Sequence, residues 1–176
     1  LAMDARLPAK ALANYRKLEG GTDFGGDRLD DWAVLVLMGQ RVAEQAELSS
    51  AAGVESGLTT SFRAAGKPIA GLESAETQLM LFETLDPATQ RTLLVQAAEN
   101  ADTALKDVSA MAAAWTRGDT QALARVVNED VDTVPTARKA IITDRNRRWS
   151  GWVKTRLEQP GTVLMAVGAG HLVGAD

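Results

Sequence analysis

The stretch that most constrains the fold is Val163-Leu164-Met165-Ala166-Val167, a continuous apolar run bounded by Pro160-Gly161 and Gly168. Such a run is expected of a strand buried on both faces. A strand of that kind needs neighbours on either side, because two strands alone make a poor core. A second extended segment is predicted from Lys67 to Leu72, where Pro68 fits only the first residue or an edge of a strand. The expected fold class is therefore α/β and helix-rich, with few strands. Those near 67–72 and 162–168 should be buried and flanked by helices. The shortage of strands suggests that the rest of the sheet lies in sequence not present here.

Everything between reads as helix. Leu12, Tyr15 and Leu18 precede Gly20-Gly21, and the glycine-rich stretch from Gly20 to Asp27 matches no phosphate-cradle spacing, so it reads as a loop. Leu29, Trp32, Leu35, Val36, Gly39 and Val42 recur at helical spacing, with Asp27 or Asp30 placed to cap. A short helix follows Gly53 and stops at Gly66. Ser74 can cap a helix carrying Leu79 and Phe82, and Asp86-Pro87 begins another that should last to about Asn100. Leu105, Val108, Ala112 and Trp115 step by three and four towards Gly118, and Asp119 can cap the next helix. After the polar stretch Asn128 to Asp132, a long helical pattern runs from about Thr136 to Leu157.

Composition narrows the function classes. Hydrophobic residues at 45% and charged residues at 24% are globular averages, so neither disorder nor a membrane class is suggested. The apolar runs are far shorter than the roughly 18 residues a membrane helix needs, and no basic-then-apolar leader opens the chain. With 176 residues, one domain is expected. The absence of cysteine excludes disulfides, thiolate metal sites and cysteine nucleophiles. A net charge of −4 argues against a nucleic-acid partner that needs a broad basic surface. The chain has one histidine, so any histidine chemistry is confined to His171.

Three constellations could carry chemistry. Gly168-Ala169-Gly170-His171 sets the lone histidine just past the carboxyl end of the predicted strand, where open α/β sheets place ligand sites. Spacing alone leaves two readings, a hydrogen-bonded structural histidine or a ligand. Gly71-Leu72-Glu73 repeats the arrangement with a carboxylate, which could equally favour a helix N-terminus. Two such strand ends, if adjacent, would converge on one pocket. Arg145 stands in a stripe with Ile142, Trp149 and Trp152, so it either stacks on Trp149 or reaches a buried acceptor. Arg138, Lys139, Arg147, Arg148, Lys154 and Arg156 read as a solvated helix surface. Asn128, Glu129, Asp130 and Asp132 lack the turn glycine and closing glutamate of an EF-hand loop, so calcium is not expected.

In order, Gly53-Val54-Glu55-Ser56-Gly57-Leu58, Gly66-Lys67-Pro68-Ile69-Ala70-Gly71-Leu72-Glu73 with Gln78, and Ala114-Trp115-Thr116-Arg117-Gly118-Asp119 resemble the TraB/PrgY/GumN family. The resemblance continues through Arg145-Asn146-Arg147-Arg148-Trp149 and Gly168-Ala169-Gly170-His171-Leu172-Val173-Gly174. Glu55 departs from the aspartate expected in the first motif. The superfamily includes the Tiki metalloproteases and erythromycin esterases, and carries a Gly-x-x-His motif near each end of the domain plus a glutamate and an arginine. The second motif matches Gly168 to His171, the glutamate Glu73 and the arginine Arg145; the first motif is not found.

The resemblance thus implies a single TraB/GumN-like domain over 1–176, incomplete at both ends, either a truncated core or a product lacking half its metal site. It implies metal-dependent hydrolysis, of a peptide bond, with manganese or cobalt as the ion and this chain a catalytically incomplete core. His171 and Glu73 would be metal ligands, Glu73 and Arg145 catalytic, and Asn146, Gly168 and Gly170 substrate-binding. A peptide or protein substrate and an extracytoplasmic location, periplasmic or secreted, follow from the same resemblance. The alternative is a non-catalytic protein that binds peptide or sequesters a pheromone.

Overall fold

The computed structural model describes residues 1–174, without the side chains of Glu129 and Asp130. Half of the acidic group weighed for calcium therefore lies outside the described side chains. The elements are α1 (Ala9–Glu19), α2 (Asp31–Gln45), α3 (Val54–Ala64), α4 (Ala75–Glu83), α5 (Pro87–Asn100), α6 (Ala104–Arg117), α7 (Thr120–Asp132), α8 (Pro135–Arg138) and α9 (Asp144–Leu157). A π-helical turn over Lys139–Thr143 joins α8 to α9. The long helical pattern from Thr136 to Leu157 is thus continuous, with one turn wound wide. The polar stretch from Asn128 to Asp132 forms the end of α7.

The α/β expectation is overturned: no strand forms among the described residues, and the fold is all-α. Segments 67–72 and 162–168 belong to no helix or strand, and residues 162–167 make no backbone–backbone hydrogen bond. Nor are they buried, since Ile69 is 50%, Val163 50% and Leu164 55% exposed. Local sequence explains the shape: proline and the residue before it are held extended, and β-branched residues favour the same region. A strand, however, exists only through the ladder it shares, and no neighbouring segment supplies one here.

Caps set the helix starts as their residue types require. The Ser74 hydroxyl accepts from the Thr77 N–H at 3.0 Å, Asp86 from the Thr89 N–H at 3.0 Å, and Asp119 from the Ala122 N–H at 2.9 Å. Pro87 occupies the start of α5, where its missing N–H costs nothing.

α5 lies between two cores. On one side Leu94 and Ala98 pack with Met3, Leu7, Ala11, Tyr15 and Leu18 around α1, and with Val34 and Met38 of α2. On the other, its Leu93 joins Leu85, Val134 and Ala137, with Ala140 and Ile141 against them. Adjacent residues on a helix point about 100° apart, so Leu93 and Leu94 serve different clusters. The second cluster seats the Pro135–Arg138 end of the long helix and so fixes where α9 begins. α3 and α4 bury no residue and stand at the periphery.

One buried charge network ties the first core. Asp31 pairs with Arg6 at 3.4 Å and with Arg91 at 2.5 Å, while Arg6 also donates to the Leu29 carbonyl at 2.7 Å. The Arg6 and Asp31 side chains are 5% and 9% exposed, so neither can fall back on water. Asp31→Ala strands the Arg6 guanidinium and is expected to lower stability by about 3–5 kcal/mol. The check is a reduced urea midpoint at unchanged slope; a loss below about 1 kcal/mol would show that the network is not structural.

Candidate functional site

α9 carries Arg145, Asn146, Arg148 and Trp149 in one and a half turns, so their side chains leave the helix close together. The π-helical turn precedes them directly, and its Ile141 carbonyl accepts from Arg145 Nη1 at 3.2 Å. Arg145 also lies over the Trp149 ring, its Cζ 4.7 Å from the centroid. Wide turns of this type are frequent at functional sites.

Glu73 follows the 67–72 segment and precedes Ser74, the cap of α4. A Cβ on Gly71 would stand 2.9 Å from the Glu73 carbonyl oxygen, so the bend that presents Glu73 to α9 needs glycine there. The Glu73 carboxylate is nearly enclosed, its side chain 5% exposed. Arg145 donates to Oε2 through Nε at 2.9 Å and approaches the same oxygen with Nη2 at 2.9 Å; Arg148 Nη2 donates to Oε1 at 2.9 Å. Burial alone would raise the carboxyl pKa, but the two arginines outweigh it and hold Glu73 below the ordinary carboxylate range.

His171 arrives from the other extended segment. Gly168 accepts the His171 N–H at 3.0 Å, closing a 3₁₀ turn over Ala169–His171 that rests on α7. A Cβ on Gly170 would fall 2.9 Å from Val127 Cγ1, so the turn packs this close only with glycine. Buried Asn128 anchors the same loop by donating to the Val173 carbonyl at 3.2 Å. Nothing lies within 4 Å of a Cβ built on Gly168, so no packing demand explains that glycine.

The imidazole is held at both ring nitrogens and packs against Trp149. Nε2 stands 3.0 Å from Arg145 Nη1 and Nδ1 2.8 Å from Asn146 Oδ1, while the Trp149 ring centroid is 4.6 Å away. A guanidinium only donates, so Nε2 accepts and the ring proton sits on Nδ1, donated to Asn146. The Asn146 amide completes its grip through Nδ2, 3.4 Å from the His171 carbonyl.

Glu73, Arg145, Asn146 and His171, singled out in the sequence, therefore form one cluster, with Gly168 and Gly170 shaping the turn beside it. Asn146 holds the histidine. Arg148, read as solvated surface, is a second partner of Glu73; its spacing of three from Arg145 was the signal. Asn128 and Trp149 complete the support. An open groove of about 440 Å³, lined by Leu18, Leu35, Met38, Val42, Ala97 and Val108 among others, contains none of these residues.

As a donor set the cluster offers one carboxylate and one imidazole, the chemistry of a divalent-ion site. A histidine that donates its other ring N–H to an amide oxygen is also oriented as metal-ligating histidines are. No group of three or more metal-capable side chains converges among the described residues.

The family model for the TraB/PrgY/gumN family matches residues 2–176, and the chain belongs to that family. No curated protein and no solved structure gives a match.

Two outcomes follow from this geometry. Because the folded Glu73 pKa is depressed, its contribution to stability is fully present above the unfolded value of about 4.3 and is lost as pH falls through the folded one. Wild type should be more stable than Glu73→Gln at pH 7, with the gap closing on acidification; denaturation series showing a constant gap down to about pH 3 would contradict this. Gly170→Ala must push the turn off Val127 and is expected to cost about 1–3 kcal/mol, read as a lower melting temperature.

Proposed function

We propose that this member of the TraB/PrgY/gumN family carries the Glu73–Arg145–His171 portion of a metal-dependent hydrolase site, of the peptidase kind. The observation that carries the reading is the meeting of those three side chains from two extended segments and one helix. Glu73 and His171 would hold the ion. Bound there, a divalent ion such as manganese or cobalt would supply Lewis acidity and a more acidic water. Asn146 keeps the His171 ring in the tautomer whose Nε2 lone pair faces Glu73's partner, Arg145. Glu73 can ligate or take a proton from water, and Arg145 can stabilise an oxyanion developing on the substrate carbonyl. Two protein donors do not fill a coordination shell, so this reading needs further donors from water, substrate or another segment, and the cluster by itself is a catalytically incomplete core.

Substrate is proposed to be a peptide or protein. The backbone of 162–167 leads to the His171 turn and makes no backbone–backbone hydrogen bond, which leaves its groups open to an extended chain. An extracytoplasmic location, periplasmic or secreted, belongs to the same proposal; no helix among the described residues is long and apolar enough to cross a membrane.

A second reading, peptide binding or pheromone sequestration without cleavage, is favoured by one feature. Both candidate donors are already engaged by arginine, as a permanent binding surface would have them. Peptide cleavage and peptide affinity, each measured with added manganese or cobalt and after chelation, separate the two. A hydrolase shows metal-dependent cleavage that falls at least about a hundredfold in both Glu73→Ala and His171→Ala. A binder shows no cleavage and keeps its affinity in chelator, and cleavage that survives both substitutions rules the site out.

A further inference from the structure

We propose that Arg148 is a carboxylate-recognition residue, whose unused guanidinium donors take a carboxylate of the bound peptide, at its C-terminus or on a side chain. This rests on the peptide-substrate reading above and adds the charge that the peptide carries; it does not depend on a metal ion.

Arg148 is half-exposed yet held in place. Its Nη2 donates to Glu73 Oε1 at 2.9 Å, and among the described residues this is the one hydrogen bond made by its five N–H donors. The side chain is 51% exposed, so the remaining donors reach solvent. Its anchor is firm, because the Glu73 carboxylate is enclosed and Arg145 grips Oε2 at 2.9 Å, leaving Oε1 to Arg148. A long side chain fixed in this way has less rotamer freedom to lose when a ligand arrives. Arg147 is the contrast: it is 72% exposed, and its partner Asp144 is itself partly open to water.

The surroundings are short of negative charge. Seven basic residues and one acidic residue stand from Arg138 to Arg156, in a chain whose net charge is −4. At the cluster itself Glu73 is shared by Arg145 and Arg148, and Asp144 by Lys139 and Arg147, so two carboxylates answer four cations. A ligand carboxylate supplies missing charge and meets the planar fork of a guanidinium, a geometry that an ammonium group lacks. The stretch 162–174, by contrast, contains no aspartate, glutamate, lysine or arginine. The open backbone of 162–167 therefore cannot select a peptide by charge, and that selection falls to α9.

Calorimetry with N-acetylated peptides of alternating valine and serine tests this. The forms compared are a free C-terminal carboxylate, a C-terminal amide, and the amide with a central glutamate. Each is titrated into wild type, Arg148→Gln, Arg148→Lys and the neighbouring control Arg147→Gln, with melting temperatures confirming that the variants are folded. At least one acid form should bind wild type on the order of tenfold more tightly than the plain amide. That preference should disappear in Arg148→Gln, fall in Arg148→Lys, which keeps the charge but not the fork, and persist in Arg147→Gln. Whichever acid form gains identifies the source of the carboxylate. If the plain amide binds wild type as tightly as both acid forms, or if the preference survives Arg148→Gln or is lost equally in Arg147→Gln, Arg148 does not recognise the carboxylate and the peptide reading stands. If none of these peptides binds wild type, the peptide reading falls and the carboxylate subsite falls with it. Should Arg148→Gln unfold, Arg148→Lys against Arg147→Gln decides.

Discussion

The guanidinium of Arg145 joins three stretches that no backbone ladder connects: the bend at Glu73, the first turn of α9 and the loop that carries His171. An enclosed carboxylate is costly unless paired, and Glu73 is paired twice. A donor-only guanidinium also dictates the histidine's state, forcing Nε2 to accept and Nδ1 to carry the proton. The site's tautomer and the meeting of Glu73 with His171 depend on this one residue, while Arg148 and Asn128 anchor the two segments further.

What delivers Arg145 to that point is the helical frame behind it. α5 divides its apolar residues between two cores, and the second of these seats the start of the long helix. The π-helical turn then resets the helix phase just before Arg145 and offers it the Ile141 carbonyl. From the other side, α7 supplies Asn128 and Val127 as the bed for the His171 turn. Core packing thus fixes two helices, and side-chain hydrogen bonds suspend the functional segments between them.

Much of this was legible in the chain. Ser74, Asp86 with Pro87, and Asp119 announced helix starts because capping is a local property, set by a few neighbouring residues. Glu73, Arg145 and His171 were identifiable because glycine-flanked polar residues and an arginine within an apolar stripe are unusual locally. Strand formation was not legible, since Val163 to Val167 has strand composition but pairing depends on a partner that local pattern cannot report. Arg148 was lost among the basic residues around it, because a charge turned to solvent and one turned to a distant carboxylate look alike in sequence. Asn128, inside a polar run, gave no sign that its amide would be buried under Val173.

The central claim is that Arg145 sets the state of His171, and the ring nitrogens of the lone histidine measure it most directly. In a long-range ¹H–¹⁵N spectrum of the metal-free protein at neutral pH, Nδ1 should appear protonated and Nε2 as a bare acceptor, an assignment lost in Arg145→Ala. A histidine protonated on Nε2, or one averaging freely between tautomers as an exposed imidazole does, would contradict it.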